Sequence, residues 1–333
     1  MGASSRTDRV ALTGRADLAV LPTPVQRLER LAEHLQTRAT LLVKRDDLTG
    51  LALGGNKARK LALLAEDAIA HGANCLVTGG GLQSNHARIT AAAARRIGLE
   101  CHLALGGPPP DAHDGNLLLE KLLGAHLHFG GADDYYGIEA AIEALATHLR
   151  EHGHTPYAIP VGGASTIGVA AYALAIDELR TQLDCDPDWI VVADGSGGTH
   201  AGLLTGLGAD SPTRVLGVDV GTRPDLDERV PELARAASLS LDRGVPNATV
   251  NIDHDHIGGG YGELSDACLD ALRIVARSEG LILDPVYSGK AAAAMFTAIH
   301  DGRIGPDDTV VFWATGGSPA LFAHRYESAI TGP

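Results

Sequence analysis

The sequence predicts an α/β protein built on parallel sheet, and three observations carry that prediction. Short apolar runs alternate with longer stretches whose apolar residues recur every three or four positions. The 41 glycines of the 333-residue chain fall in tight clusters and not at a fixed period, so they mark loops where backbone approaches another element or a ligand. The alternation persists through both halves without a Pro/Ser-rich linker, which favours two α/β lobes with a discontinuous boundary.

The elements follow in order. Lys44 ends a strand, and Asn56 is a suitable N-cap for a helix that starts near Lys57. In that helix Leu61, Leu64, Ala65, Ala68 and Ile69 keep helical spacing until His71-Gly72 stops it. NCLVTGGG is a buried strand running into glycines, and SNHARITAAAARRIG is a helix capped by Ser84 or Asn85 and stopped at Gly98. LECHLAL, DGNLLLEKLLG and AHLHF read as strand, helix and strand. GIEAAIEALATHLREHG is a long helix, and PYAIPVGG closes this unit. Beyond it DWIVVADGSGG and RVLGVDVG are strands, LSDACLDALRIVARSEG is a helix, and DDTVVFWATGG is a late strand. Ser318-Pro319 has the form of an N-cap followed by proline at the first helical position.

Composition narrows the function classes. Apolar residues at 45% and charged residues at 20% suit a globular protein of two domains or one large one. A net charge of −14 argues against nucleic acid and anionic membrane as partners, since both need concentrated positive charge. Cys75, Cys101, Cys185 and Cys268 are far apart with no CxxC pair, which points to unpaired thiols in a reducing, cytoplasmic setting. The stretch MGASSRTDRVALTG has no apolar core of signal-peptide length, and Arg6 stands where a myristoylation signal needs Ser or Thr. Alanine runs such as Ala91–Ala94 are far too short to span a bilayer.

Chemistry concentrates in a few loops. KRDDLTGLALGGNKARK sets three lysines and two arginines around a Gly-Gly-Asn turn. Lys57, at the first position of a helix, faces the positive end of the helix dipole, and burial would lower its pKa further. A neutral amine there could attack a carbonyl; the alternative is an ordinary surface lysine. Lys60, one turn along, is expected to rotate to solvent, and Lys44 sits beside Asp46 and Asp47.

GGGLQSNHAR, Gly79 to Arg88, lies between a strand end and a helix start, where open α/β sheets bind ligands. Gln83, Ser84 and Asn85 offer hydrogen bonds there, unless Ser84 and Asn85 serve only as caps. ADGSGGTHAG, Ala193 to Gly202, fails the dinucleotide fingerprint because His200 stands where the third glycine belongs, and it lacks the P-loop ending. Its glycines with Ser196 and Thr199 suit a terminal phosphate or a plain tight turn. LDPVYSGK brings Tyr287 and Ser288, WATGG brings Thr315, and Tyr261 in GGGYGE flanks a glycine loop. His254 and His256 around Asp255 lack the further ligands a metal needs, so no metal is expected.

Taken in order, the KRDD–GGNK–RK, QSNHAR, SGGTHAG, DPVY–GK and TGG–PALF segments resemble the D-cysteine desulfhydrase and 1-aminocyclopropane-1-carboxylate (ACC) deaminase family, over about Leu21 to Phe322. The resemblance implies a fold type II pyridoxal 5'-phosphate enzyme with two open, twisted, mostly parallel sheets and flanking helices. The cofactor would lie between a large discontinuous domain, residues 1–52 and 165–333, and a small domain, residues 53–164. It implies a homodimer as well.

By the same resemblance Lys57 carries the cofactor covalently, and Ser196, Gly197, Gly198 and Thr199 hold its phosphate. Asn85 contacts its phenolic oxygen, while Ser288 and Thr315 face its ring. Gln83, Ser84 and Asn85 lie near the substrate carboxylate, Tyr261 shapes the pocket, and Tyr287 faces the bound amino acid. Lys57, Tyr287 and Ser84 form the catalytic set, with Lys57 or Tyr287 taking the α-proton according to substrate handedness.

The implied reaction is β-elimination from D-cysteine through aminoacrylate to pyruvate, ammonia and sulfide. The alternatives are a lyase acting on cysteate, β-chloroalanine or a diamino acid, an ACC deaminase, a racemase, and a ligand-binding relative without turnover. The deaminases carry glutamate and leucine where this chain has Ser288 and Thr315. A hydroxyl protonates the ring nitrogen less strongly than a carboxylate, which favours expelling a thiol over opening a cyclopropane.

Overall fold

The computed structural model describes residues 17–131, 134–246 and 250–332. The N-terminal stretch read for targeting signals therefore lies outside the described residues, as does the start of the expected large domain.

β1 (Val25–Arg27) and β2 (Thr40–Lys44) flank α1 (Glu29–His34), and a loop of two short 3-10 turns then leads into α2 (Lys57–Ala70). β3 (Cys75–Gly80), α3 (Asn85–Ile97), β4 (Glu100–Gly106), α4 (Gly115–Leu122), β5 (His126–Gly131), α5 (Tyr135–Glu151) and β6 (Pro156–Ala158) keep strict alternation. After α6 (Thr166–Arg180) come β7 (Trp189–Asp194), α7 (Gly198–Leu207), β8 (Arg214–Asp219), α8 (Leu226–Ser240) and β9 (Asn251–Asp253). α9 (Asp266–Glu279), α10 (Ser288–His300), β10 (Thr309–Trp313) and α11 (His324–Thr331) complete the order.

Two sheets result. The larger runs β1-β2-β10-β7-β8-β9 and the smaller β5-β4-β3-β6. Among the described residues only β1 is antiparallel to its neighbour; the other pairings are parallel. β3 and β7 are buried at every residue, as strands covered on both faces must be. The strands of the smaller sheet all lie between Cys75 and Ala158 and those of the larger outside that span, which is the basis for proposing the two-domain division.

Side-chain alternation distributes the core. Val191 of β7 packs with Leu31, Leu272 and Met295 of α1, α9 and α10, while its neighbours Ile190 and Val192 pack with Tyr172, Leu203 and Val230 of α6, α7 and α8. In the smaller sheet Leu76, Cys101 and Leu103 face α2 and α3, whereas Val77 and Ala104 face α5. The four cysteines are unpaired; Cys185 is exposed and the other three buried. Among the described residues no helix is long and apolar enough to cross a membrane.

Two expected caps differ. Asn56 does precede α2, but its side chain makes no capping bond. The turn Ser318–Phe322 starts from Gly317, so Ser318 lies inside it.

Candidate active site

Four helices begin at one cavity of about 190 Å³, lined among others by Asn56 and Lys57 before α2, Ser84 and Asn85 at α3, Gly197 and Thr199 at α7, and Tyr287 before α10. The loops that lead into α2, α3 and α7 follow the parallel strands β2, β3 and β7, where a ligand has room beside the sheet, and Tyr287 enters from the loop between α9 and α10. Converging helix N-termini give the cavity free N–H groups and positive potential despite the acidic chain.

The five cations of the basic loop divide sharply. Lys44 is fully buried and donates to Glu178 at 2.5 Å and to the Thr23 carbonyl at 2.7 Å. Arg45 pairs with Asp47 at 2.7 Å. Arg59 forks onto Asp46 at 2.8 and 2.9 Å and also reaches Glu178. Asp46 accepts further bonds from Trp313 at 2.8 Å and Tyr172 at 2.6 Å. Burial would raise its carboxyl, but the Arg59 guanidinium and these donors hold it below the usual range. Lys60 corrects the sequence expectation: it is fully buried and donates to the Gly162 carbonyl at 3.1 Å. Its position along α2 turns it toward α6 and the 161–163 turn, away from solvent. Lys57 is the one of the five that lines the cavity.

Burial lowers the Lys57 amine to about 8, with Asp194 pulling partly in the other direction. Lys60 and His86 are driven well below their ordinary ranges by burial and by Lys57, so charge at this base of the cavity is scarce and mutually repelling. The loop before Lys57 is held from outside. Arg88, fully buried, donates to the Ala52 carbonyl, to that of Gly54 at 3.1 Å, and to Asn116 at 2.6 Å. Gly54 has φ +71, and a Cβ there would stand 2.0 Å from the Asp47 carbonyl oxygen, so only glycine allows this turn.

The other cavity groups are oriented as donors. The Asn85 amide oxygen accepts from Asn116 at 3.0 Å, which leaves Nδ2 as the group for an acceptor in the cavity. Asn56 Nδ2 donates to Thr199 Oγ1 at 3.1 Å, so the Thr199 hydroxyl proton is available to another acceptor. Gly197, at φ +81, opens α7 without a side-chain cap, leaving that helix's first N–H groups unused. Ser84 caps α3 by accepting from Ala87 at 3.2 Å and still lines the cavity. Ser196 and Thr315 line it as well. The Tyr261 and Tyr287 hydroxyls are 2.8 Å apart, with rings at 73°. Burial raises Tyr261 to about 12; burial and Tyr261 raise Tyr287 well above the usual phenol range. Both phenols stay protonated at neutral pH.

Three expected residues are not among those lining the cavity. Ser288 donates to Asp284 at 2.5 Å and accepts from the Asp284 N–H at 2.8 Å, because Asp284 supplies the cap for α10 and claims the nearest hydroxyl. Gln83 bridges to α4 instead, donating to Asp114 at 2.9 Å and accepting from the Asn116 N–H at 2.9 Å. Gly198 contributes backbone at the start of α7, packed against Lys60 and Ala164. His254 uses both ring nitrogens on Asp219 and Asp227, each at 3.0 Å, and His256 uses both on Asp253 and Thr297.

Sequence reasoning missed Thr222, which lines the cavity with a buried hydroxyl that has no hydrogen-bond partner among the described residues. The strand-end rule would have found it, since it follows β8 by three residues. The sequence marks Asn56 only as a cap and gives Asp194, at the end of the DWIVVAD strand, no separate role.

A model of the pyridoxal-phosphate-dependent enzyme family matches residues 16–316. The chain belongs to this family. D-cysteine desulfhydrase of Salmonella newport (strain SL254) is 38% identical over 324 residues, covering 93% of this chain and 96% of that protein. A crystal structure described as an ACC deaminase homologue is 36% identical with a TM-score of 0.89 over 96% of each chain. A fungal L-serine ammonia-lyase from Rhizomucor miehei, 19% identical with a TM-score of 0.66, covers 94% of this chain and 98% of its own and shares the fold. The cofactor of the family is pyridoxal 5'-phosphate, and the donor set suits it. An amine held near neutrality, an uncapped helix start with two hydroxyls, and an orphaned Thr222 hydroxyl match an aldehyde and a phosphate.

Proposed function

We propose that this chain is a pyridoxal-phosphate-dependent carbon–sulfur lyase that eliminates sulfide from D-cysteine or a closely related β-substituted D-amino acid. The observation that carries the reading is Lys57, a buried amine at about 8 in a cavity ringed by helix N-termini. The Salmonella relatives named D-cysteine desulfhydrase support the substrate class.

When bound, the cofactor supplies an electron sink for the pair released at the α-carbon. The α7 start, with Ser196, Gly197, Gly198 and Thr199, would hold its phosphate, and Asn85 Nδ2 would serve as a donor to its phenolic oxygen. Ser84 and the α3 N-terminus bind the substrate carboxylate. Lys57 Nζ, neutral in an appreciable fraction at physiological pH, takes the α-proton. As the Cβ–S bond breaks, its electron pair leaves with sulfur. The Tyr287 phenol, kept protonated and hydrogen-bonded to Tyr261, is the proton donor for that sulfur. Water then converts the unsaturated remainder to pyruvate and ammonia. This division assigns the base to Lys57 and the proton donor to Tyr287, because at neutral pH the phenol still carries its proton and so has no free phenolate to offer as a base, whereas part of the Lys57 amine is neutral.

Ser288, engaged by Asp284, enters as a support for the α10 cap. Thr315 keeps the place near the ring. Gln83 acts by fixing the loop that presents Ser84 and Asn85. A homodimer and a cytoplasmic setting belong to the same proposal. The test offers D-cysteine and ACC in parallel to cofactor-loaded enzyme and measures 2-oxo acid. Pyruvate from D-cysteine with no 2-oxobutyrate from ACC supports the reading; 2-oxobutyrate from ACC overturns it.

A further inference from the structure

A second cluster of ligating side chains lies apart from the cavity, on the α5 face of the smaller sheet. Glu100 and His102 alternate on β4 and share their face with Ala104, which packs against α5. His126 on β5 is the register partner of His102, and their rings stack with centroids 4.6 Å apart. His128, two residues further along β5, places Nε2 3.2 Å from His102 Nδ1. The loop after α5 brings His154 Nδ1 to 3.7 Å from Glu100 Oε2. None of these residues lines the active-site cavity.

The group that demands a partner is His102. Only 7% of the residue is exposed, its Nε2 has no hydrogen-bond partner among the described residues, and Glu100 Oε2 stands 3.6 Å away. Suppose Nδ1 carries the proton and donates it to His128. Then Nε2 aims a lone pair at a carboxylate, two acceptors facing each other where water is scarce. Suppose instead that Nε2 carries the proton. Then 3.6 Å is too long for it to reach Glu100, and a buried donor stays unmade. A cation between the lone pair and the carboxylate relieves the first arrangement and makes use of the His128 bond. Metal-bound imidazoles commonly donate their other N–H to such a partner, which fixes the ring and its tautomer.

We propose that Glu100, His102 and His126 bind a divalent transition-metal ion of the Zn²⁺ type, with His154 as the fourth ligand. One ligand atom from each of Glu100, His102 and His126 lies within 4.8 Å of the others. Tetrahedral zinc with bonds of about 2.0–2.1 Å would space its ligands about 3.4 Å apart. Closing that gap takes about 1 Å of movement, which Glu100 and His126 can supply because both are exposed. Imidazole with a single carboxylate selects zinc, nickel or copper over calcium or magnesium, which prefer oxygen. The ion would fasten β5, the edge strand of its sheet, to β4 and to the loop entering β6. The sequence expectation of no metal weighed only the His254–His256 loop, where both imidazoles are already engaged.

The test uses tag-free, cofactor-loaded enzyme, stripped of metal with a chelator and titrated with Zn²⁺ by calorimetry in the absence of substrate. The result expected is one ion per chain, with affinity weakened at least about tenfold in Glu100→Gln and in His126→Ala. Both side chains are exposed, so the fold tolerates their loss. Co²⁺ in place of Zn²⁺ should give the strong visible bands of a tetrahedral ion, and Cys185→Ser, which removes the exposed thiol, should change nothing. The proposal is overturned by an absence of stoichiometric binding, by affinity unchanged in both variants, or by binding lost in Cys185→Ser.

Discussion

The Lys57 environment makes a prediction that pH alone can test. An ordinary lysine at 10.5 is neutral in about one molecule in three thousand at pH 7; an amine at about 8 is neutral in about one in ten. Only the neutral amine attacks the cofactor aldehyde, so the fraction competent to react is raised roughly 300-fold. The sign follows from the direction of the shift. Burial favours the uncharged form, so capture of cofactor by stripped protein should rise as pH increases through about 8 and then level off. The assay follows the initial rate at which visible absorbance grows after adding cofactor to stripped protein, across pH. Asp194 holds the Lys57 charge in place, so Asp194→Asn should move the midpoint below that of the parent. A rate that still climbs tenfold per unit above about pH 9.5 would refute the argument, since the amine would then titrate as in water.

Other consequences can be checked by substitution. Asp46→Ala removes a fully buried carboxylate and leaves Arg59 with Glu178 as its one carboxylate and the Thr23 hydroxyl, which should cost about 3–5 kcal/mol and lower Tm by about 4–7 °C in thermal denaturation. An unchanged Tm would show that this network is not what anchors the lysine loop. Tyr287→Phe should lower kcat for D-cysteine by about 10²–10⁴ with little change in KM, as loss of a proton donor does. Tyr261→Phe removes only the 2.8 Å bond to that phenol and should cost about fivefold. Equal losses in the two variants would make Tyr287 a packing residue instead of an acid.

Much of the fold was legible because parallel sheets write themselves plainly. Buried strands such as Cys75–Gly80 and Trp189–Asp194 are mostly apolar runs, and each leads into glycines that line the cavity, Gly80 and Gly81 for the first and Gly195 and Gly197 for the second. Strand-end loops also carry Lys57, Ser84, Asn85, Gly197, Thr199 and Thr315, and those following β2, β7 and β10 of the larger sheet meet the one following β3 of the smaller sheet at the cavity. What sequence could not convey was the tertiary partner of a polar side chain. Lys60 looks free on a helical wheel, but α6 and the 161–163 turn cover it. Ser288 looks like a ring contact until Asp284, four residues earlier, takes its hydroxyl for the α10 cap. Gln83 points to α4 because Asp114 and Asn116 offer both of its amide atoms a partner. The histidines at 102, 126, 128 and 154 are scattered in sequence and converge only once β4 and β5 are in register.

The most direct test of the central claim is to reduce cofactor-loaded enzyme with borohydride, digest it, and find the tagged lysine by mass spectrometry. The account predicts a tag on Lys57 alone, and no visible absorbance or turnover in Lys57→Ala. A tag on Lys44, Lys60 or Lys290, or turnover that survives in Lys57→Ala, would contradict it.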